Sequence, residues 1–80
     1  MSTERRWRVR RPEDFGRALA EARHDRRLTQ ADVAEQTGIE RSYIARLENG
    51  RVSVMLGHLL RALRAVGADI TITWNADRDA

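Results

Sequence analysis

Residues 28–50, LTQADVAEQTGIERSYIARLENG, limit what this chain can fold into more than any other stretch. They read as two short helices joined by a tight turn. Thr29 can cap the first helix, with Asp32 three residues on as a loose form of the Ser/Thr-x-x-acid signal. Val33 and Ala34 then face inward, and Ala34 is small enough for a second helix to cross closely. Gly38 stands where the first helix must stop and reverse, a position that favours left-handed backbone. Ile39 is expected to plug the corner. Ile44 and Leu47 give the second helix a narrow apolar stripe, while Arg41, Ser42, Tyr43, Arg46 and Glu48 point mostly elsewhere. Asn49-Gly50 closes the unit with a turn signal. The second helix thus keeps few side chains for a core and offers a polar, hydrogen-bonding face.

The flanks supply the rest of a small domain. Residues 1–11, MSTERRWRVRR, carry five arginines with Trp7 and Val9 at alternate positions. They fit either a short strand or a basic arm. Pro12, Glu13 and Asp14 open a helix expected over residues 12–26, with Phe15, Ala18, Leu19 and Ala22 on its core face. Arg17, Glu21, Arg23, Asp25 and Arg26 are expected to face water. After a loop at 51–53, Ser53 can cap a last helix whose Leu56, Leu59, Leu60, Leu63 and Val66 repeat at helical spacing, as core or dimer surface, up to Gly67. The period then changes. Ile70, Ile72 and Trp74 alternate with Thr71 and Thr73, the pattern of a half-buried strand. A lone strand leaves its amides unpaired, so it needs a partner: residues 6–10 of this chain, or the same strand of a second copy. Pairing between two copies through Ile70, Ile72 and Trp74 is the arrangement expected. The expected fold is therefore mainly α, four to five helices with a C-terminal strand that pairs across a dimer. In order these are an arm or strand (1–11), a helical domain (12–67), a dimerisation strand (68–75) and a polar tail (76–80).

Eighty residues make one domain with a modest core. Cysteine is absent, which excludes disulfides and thiolate metal sites, and His24 and His58 lack ligand spacing. No apolar run approaches a membrane span and no signal-peptide core appears, so a cytoplasmic, nucleoid-associated location is expected. All 15 basic residues are arginine, and the net charge is +3. Nine arginines face five acids in residues 1–28, against one arginine and three acids in residues 67–80, so a polyanion partner on one side is expected. No metal-ligand spacing, phosphate-cradling glycine loop or nucleophile–base pair stands in the sequence. Neither an enzyme nor a cofactor is expected; Glu48 and His58 form the only acid–base pair one could invoke.

Thr29-Gln30, Ala34, Gly38-Ile39, Ile44, Leu47 and Glu48-Asn49-Gly50 resemble the helix-turn-helix of the lambda-repressor-like, Cro-type family, also called the xenobiotic-response-element (XRE) group. The likeness spans residues 15–67. It implies that the second helix reads the major groove of double-stranded DNA. Gln30 would approach the backbone or an outer base, and Arg41, Ser42 and Arg46 would face base edges, arginine taking guanine O6 and N7 most readily. Tyr43 would touch a phosphate or a thymine methyl, and Asn49 and Arg51 would hold phosphate. Glu40 departs from the family, standing where Ser, Thr or Asn is usual, and could accept from a cytosine amine or repel a phosphate. Met55 likewise stands where a small cap of the last helix is usual. A Cro-type domain followed directly by an alternating strand is similar to the HipB-like antitoxins. That similarity implies a homodimeric repressor on a palindromic operator, which autoregulates its operon and binds a kinase-fold toxin. A stand-alone Cro-type regulator, or an interaction module that adds its strand to a partner's sheet, are the other readings.

Overall fold

The computed structural model describes residues 3–76. Their order is β1 (Glu4–Val9), α1 (Glu13–Asp25), α2 (Gln30–Thr37), α3 (Arg41–Glu48), α4 (Val54–Ala65) and β2 (Ile70–Asn75). Residues 1 and 2 of the expected arm, and the expected tail past Ala76, lie outside the described residues.

The C-terminal strand is not alone in the chain. β1 pairs with β2 of the same chain in antiparallel register, with Val9 opposite Ile70, Trp7 opposite Ile72 and Arg5 opposite Trp74. One edge of the strand expected to pair between two copies is thus taken by β1 of the same chain, the alternative that residues 6–10 offered. A partner was required, and residues 4–9 supply it. Ile70, Ile72 and Trp74 are half-buried within the chain, and both strands contact α1. The indole of Trp74 donates to Asp25 Oδ2 at 2.7 Å, and the Arg5 guanidinium lies 3.2 Å from both oxygens of the same carboxylate. Arg5 also sits over the Trp74 ring, 5.6 Å from its centroid, a cation–π contact. Asp25, expected to face water, instead fastens the sheet to the end of α1.

α1 lies between that sheet and α3. Its first turn is fixed by Asp14, whose carboxylate accepts from the amides of Arg10 and Arg11 at 2.8 and 3.0 Å. Burial alone would raise the Asp14 carboxyl, but those two amides and the charges of Arg11 and Arg17 together hold it below its usual value. Thr29 and Asp32 form the expected capping box at the start of α2, each accepting from the other's amide. Gly38 ends α2 in left-handed backbone, φ +76°, which only glycine adopts at no steric cost. Val9, Ala18, Ile44 and Leu60 are the buried core.

Three local expectations change. Ile39 does not plug the corner and is 42% exposed. The leucine stripe of α4 splits: Leu60 is buried and Leu56 and Leu63 half-buried, but Leu59 and Val66 lie out in solvent beside Val54 and Met55. The cap of α4 is Ser53, as expected, its Oγ accepting from the Leu56 amide at 3.2 Å, so Met55, the second residue of the helix, does no capping.

Gly16 is the close-approach point between α1 and α3, because a Cβ there would run into the Leu47 carbonyl oxygen. Gly16→Ala should gain about 1 kcal/mol in helix propensity. The backbone clash should outweigh that, for a net loss of about 2–3 kcal/mol in urea unfolding.

Candidate nucleic-acid interface

The site begins in the core. Arg23 of α1 and Glu48 at the end of α3 form a two-pronged ion pair, Nε to Oε2 at 2.8 Å and Nη2 to Oε1 at 2.9 Å. Their side chains are only 10% and 7% exposed. The third arm of the guanidinium, Nη1, donates to the Leu28 carbonyl at 2.9 Å. One arginine thus holds the end of α3 and the turn that leads into α2. Sequence reasoning set Arg23 in water. Its spacing on the α1 surface gave no hint that the end of α3 would arrive there, and only the complementary Glu48 was a signal. The Arg23 bond lowers the Glu48 carboxyl, burial opposes this, and Gln30 adds to the lowering. Arg23 is raised in turn, first by its bond to Glu48.

From this pair a chain of hydrogen bonds runs outward. Gln30, the first residue of α2, donates from Nε2 to Glu48 Oε1 at 3.0 Å. Its Oε1 accepts from Arg41 Nη1 at 3.2 Å. The buried pair therefore fixes which way the Gln30 amide faces, and that amide in turn holds the first side chain of α3. Arg41, Ser42, Tyr43 and Arg46 are all exposed on one surface of α3, and the Arg46 guanidinium stacks 5.4 Å above the Tyr43 ring. Glu40 stands exposed in extended backbone at the N-cap of α3 and makes no side-chain cap. Asn49 and Arg51 are exposed in the α3–α4 loop. The structure thus brings Gln30, Glu40, Arg41, Ser42, Tyr43 and Arg46 to one polar surface, with Asn49 and Arg51 just beyond the end of α3. Ile70, Ile72 and Trp74 stand apart from that surface, in the sheet against α1. The sequence missed the linkage of Gln30 to Arg41, although both residues stood at positions that carried the family resemblance or its implied contacts.

A family model of the helix-turn-helix domain matches residues 14–71. The chain belongs to that helix-turn-helix family. α2, the Gly38 turn and α3 are its bihelical unit, and the Cro-type likeness holds at the level of this superfamily. Membership marks a DNA-binding regulator. No curated protein and no solved structure matches the chain. Among the described residues no helix is long and apolar enough to cross a membrane, and no group of His, Cys, Asp or Glu could hold a metal ion.

A depressed carboxyl stabilises the fold above its unfolded pKa, and that contribution is lost as pH falls through the lower folded value. Glu48→Gln should therefore cost about 3–5 kcal/mol at neutral pH, because Arg23 is left charged and buried. It should also make stability less steeply dependent on pH below about 5. Urea melts of both proteins at pH 7 and in acid check this. The variant should keep residual acid sensitivity through Asp14.

Proposed function

We propose that this chain is a sequence-specific transcriptional repressor that binds a palindromic operator as a homodimer and does no chemistry of its own. The observation that carries the reading is the surface of α3, where Arg41 is tethered to Gln30 while Ser42, Tyr43 and Arg46 stand free of the core. A helix that spends only Ile44 fully on the interior leaves its other faces for base edges. In this reading Arg41 and Arg46 take guanine, Ser42 and Glu40 discriminate neighbouring bases, and Tyr43, Asn49 and Arg51 hold phosphate. Gln30 holds Arg41 before DNA arrives, which lowers the side-chain ordering needed on binding.

The dimer is supported by the exposed apolar stripe of α4. Met55, Leu59 and Val66 recur along one helix surface and lie 79%, 52% and 79% exposed. A second copy would cover them and set two α3 helices about 34 Å apart, one turn of DNA. A cytoplasmic, nucleoid-associated location follows from that role.

An antitoxin role in a HipB-like toxin–antitoxin operon, with a kinase-fold toxin as partner, is the second reading. It rests on the strand that directly follows the Cro-type domain. The pairing of that strand with β1 leaves β2 less free for exchange than the likeness implied.

Operators selected from a random duplex pool test the first reading. Arg41→Ala should lose about 1–3 kcal/mol at one base position. Arg51→Ala should weaken all sequences alike and reduce the salt slope by about 1. Leu59→Glu should sediment as a helical monomer. A parent protein that selects no sequence would refute the repressor reading.

A further inference from the structure

A second basic feature stands apart from the α3 surface. Between α4 and the β1–α1 corner lies an open cavity of about 490 Å³, the size of a small-molecule site. Arg10 and Arg11 form one wall and Arg61 and Arg64, one helical turn apart, form the other, with His58 beside them. No residue of α3 lines it. The wall also carries one acid, Glu13.

Like Arg17, Arg26, Arg27 and Arg51, the four arginines of the cavity carry guanidiniums without a partner among the described residues; what sets them apart is that they line one cavity. Arg5, Arg6, Arg8, Arg23 and Arg41 each have a carboxylate or amide partner. The guanidiniums of Arg10, Arg11, Arg61 and Arg64 have no hydrogen-bond or ion-pair partner among the described residues. Four like charges that converge on one concavity repel each other unless an anion lies between them. The positions of the first two are set by structure, because the Arg10 and Arg11 amides are bound to the buried Asp14 carboxylate. The opposite wall comes close because Gly57 has no side chain; a Cβ there would stand 3.3 Å from Pro12 Cγ. Pro12, Val54 and Leu60 add apolar surface to the cavity.

We infer that this cavity binds a small organic polyphosphate of the nucleoside diphosphate class. The paired arginines of the two walls take the phosphate oxygens in two-pronged fashion, which suits guanidinium better than any other cation. The flat body of the ligand lies on Pro12, Val54 and Leu60. A bare DNA backbone would use the charges but has no need of an apolar floor. The site shares no side chain with the α3 surface, although Gly50, Val52 and Ser53, of the loop that carries Arg51, line it.

Calorimetric titration of the full chain with ADP, pyrophosphate and adenosine tests the inference. ADP should bind with a Kd on the order of 10–100 μM, pyrophosphate more weakly, and adenosine not measurably. The double variant Arg61→Gln, Arg64→Gln changes two exposed helix positions and should keep its melting temperature, yet bind ADP at least about tenfold more weakly. Arg41→Gln should bind ADP as the parent does. Absence of ADP binding at millimolar concentration, or undiminished binding by the double variant, would overturn the assignment. Pyrophosphate binding as tight as ADP would overturn the nucleoside part. If the double variant bound duplex DNA less tightly with a shallower salt slope while the parent ignored ADP, the arginines would belong to the DNA backbone and the inference would fall.

Discussion

The ion pair between Arg23 and Glu48 is the constraint on which the rest of the molecule depends. A charge pair so nearly dry costs desolvation that its attraction must repay, and it does so only with complete hydrogen bonding. Here every arm is used: two for Glu48 and one for the Leu28 carbonyl. No buried side-chain polar atom among the described residues is left without a partner. An apolar pair of similar volume could supply comparable stability. What an apolar pair could not supply is direction. Glu48 has a lone pair left over, and Gln30 takes it. From there the geometry of the core reaches Arg41 through two hydrogen bonds. Stability and the arrangement of the proposed reading surface thus share one pair of residues.

α1 makes that pair possible because it is held on both sides. Gly16 lets it approach α3 to backbone contact, which brings Arg23 within reach of Glu48. On its other side the β1–β2 sheet is pinned by Trp74 and Arg5 to Asp25, two residues beyond Arg23. The two ends of the described chain therefore meet in one sheet and close over the same helix. This arrangement pairs the facing amides of both strands within one chain. It leaves α4 as the element with unpaired apolar surface, which is why the proposed dimer is drawn there and not through the strand.

Much of this was legible in residue order. The capping box at Thr29, the left-handed turn at Gly38, the four helices and the C-terminal strand follow from local rules: hydrogen-bonding side chains at caps, glycine at positive φ, and periods of 3.6 and 2, whereas residues 1–11 fitted a strand or a basic arm equally. The side chains proposed to read DNA were legible too, since a helix with one core residue per turn must present the others. What local rules could not show was which long-range partner each element would meet. The alternation of Ile70, Ile72 and Trp74 demanded a pair but did not name it. Arg23 and Asp25 looked like solvated helix charges because their partners lie 25 and 49 residues away. The division of the α4 stripe into buried and exposed leucines depends on where α4 crosses the core, and periodicity alone treats both alike.

The central claim is that the buried pair acts on DNA through direction and not only through stability. The double variant Arg23→Met, Glu48→Leu separates the two. Replacing both partners with apolar side chains removes the charges together, so the fold should keep its stability to within about 1–2 kcal/mol. Gln30 then loses its anchor and Arg41 its tether. Measured on the selected operator by fluorescence anisotropy, the folded double variant should bind roughly tenfold more weakly than the parent, with reduced discrimination at the base read by Arg41. A double variant that folds and binds the operator with the affinity and base preference of the parent would contradict the account.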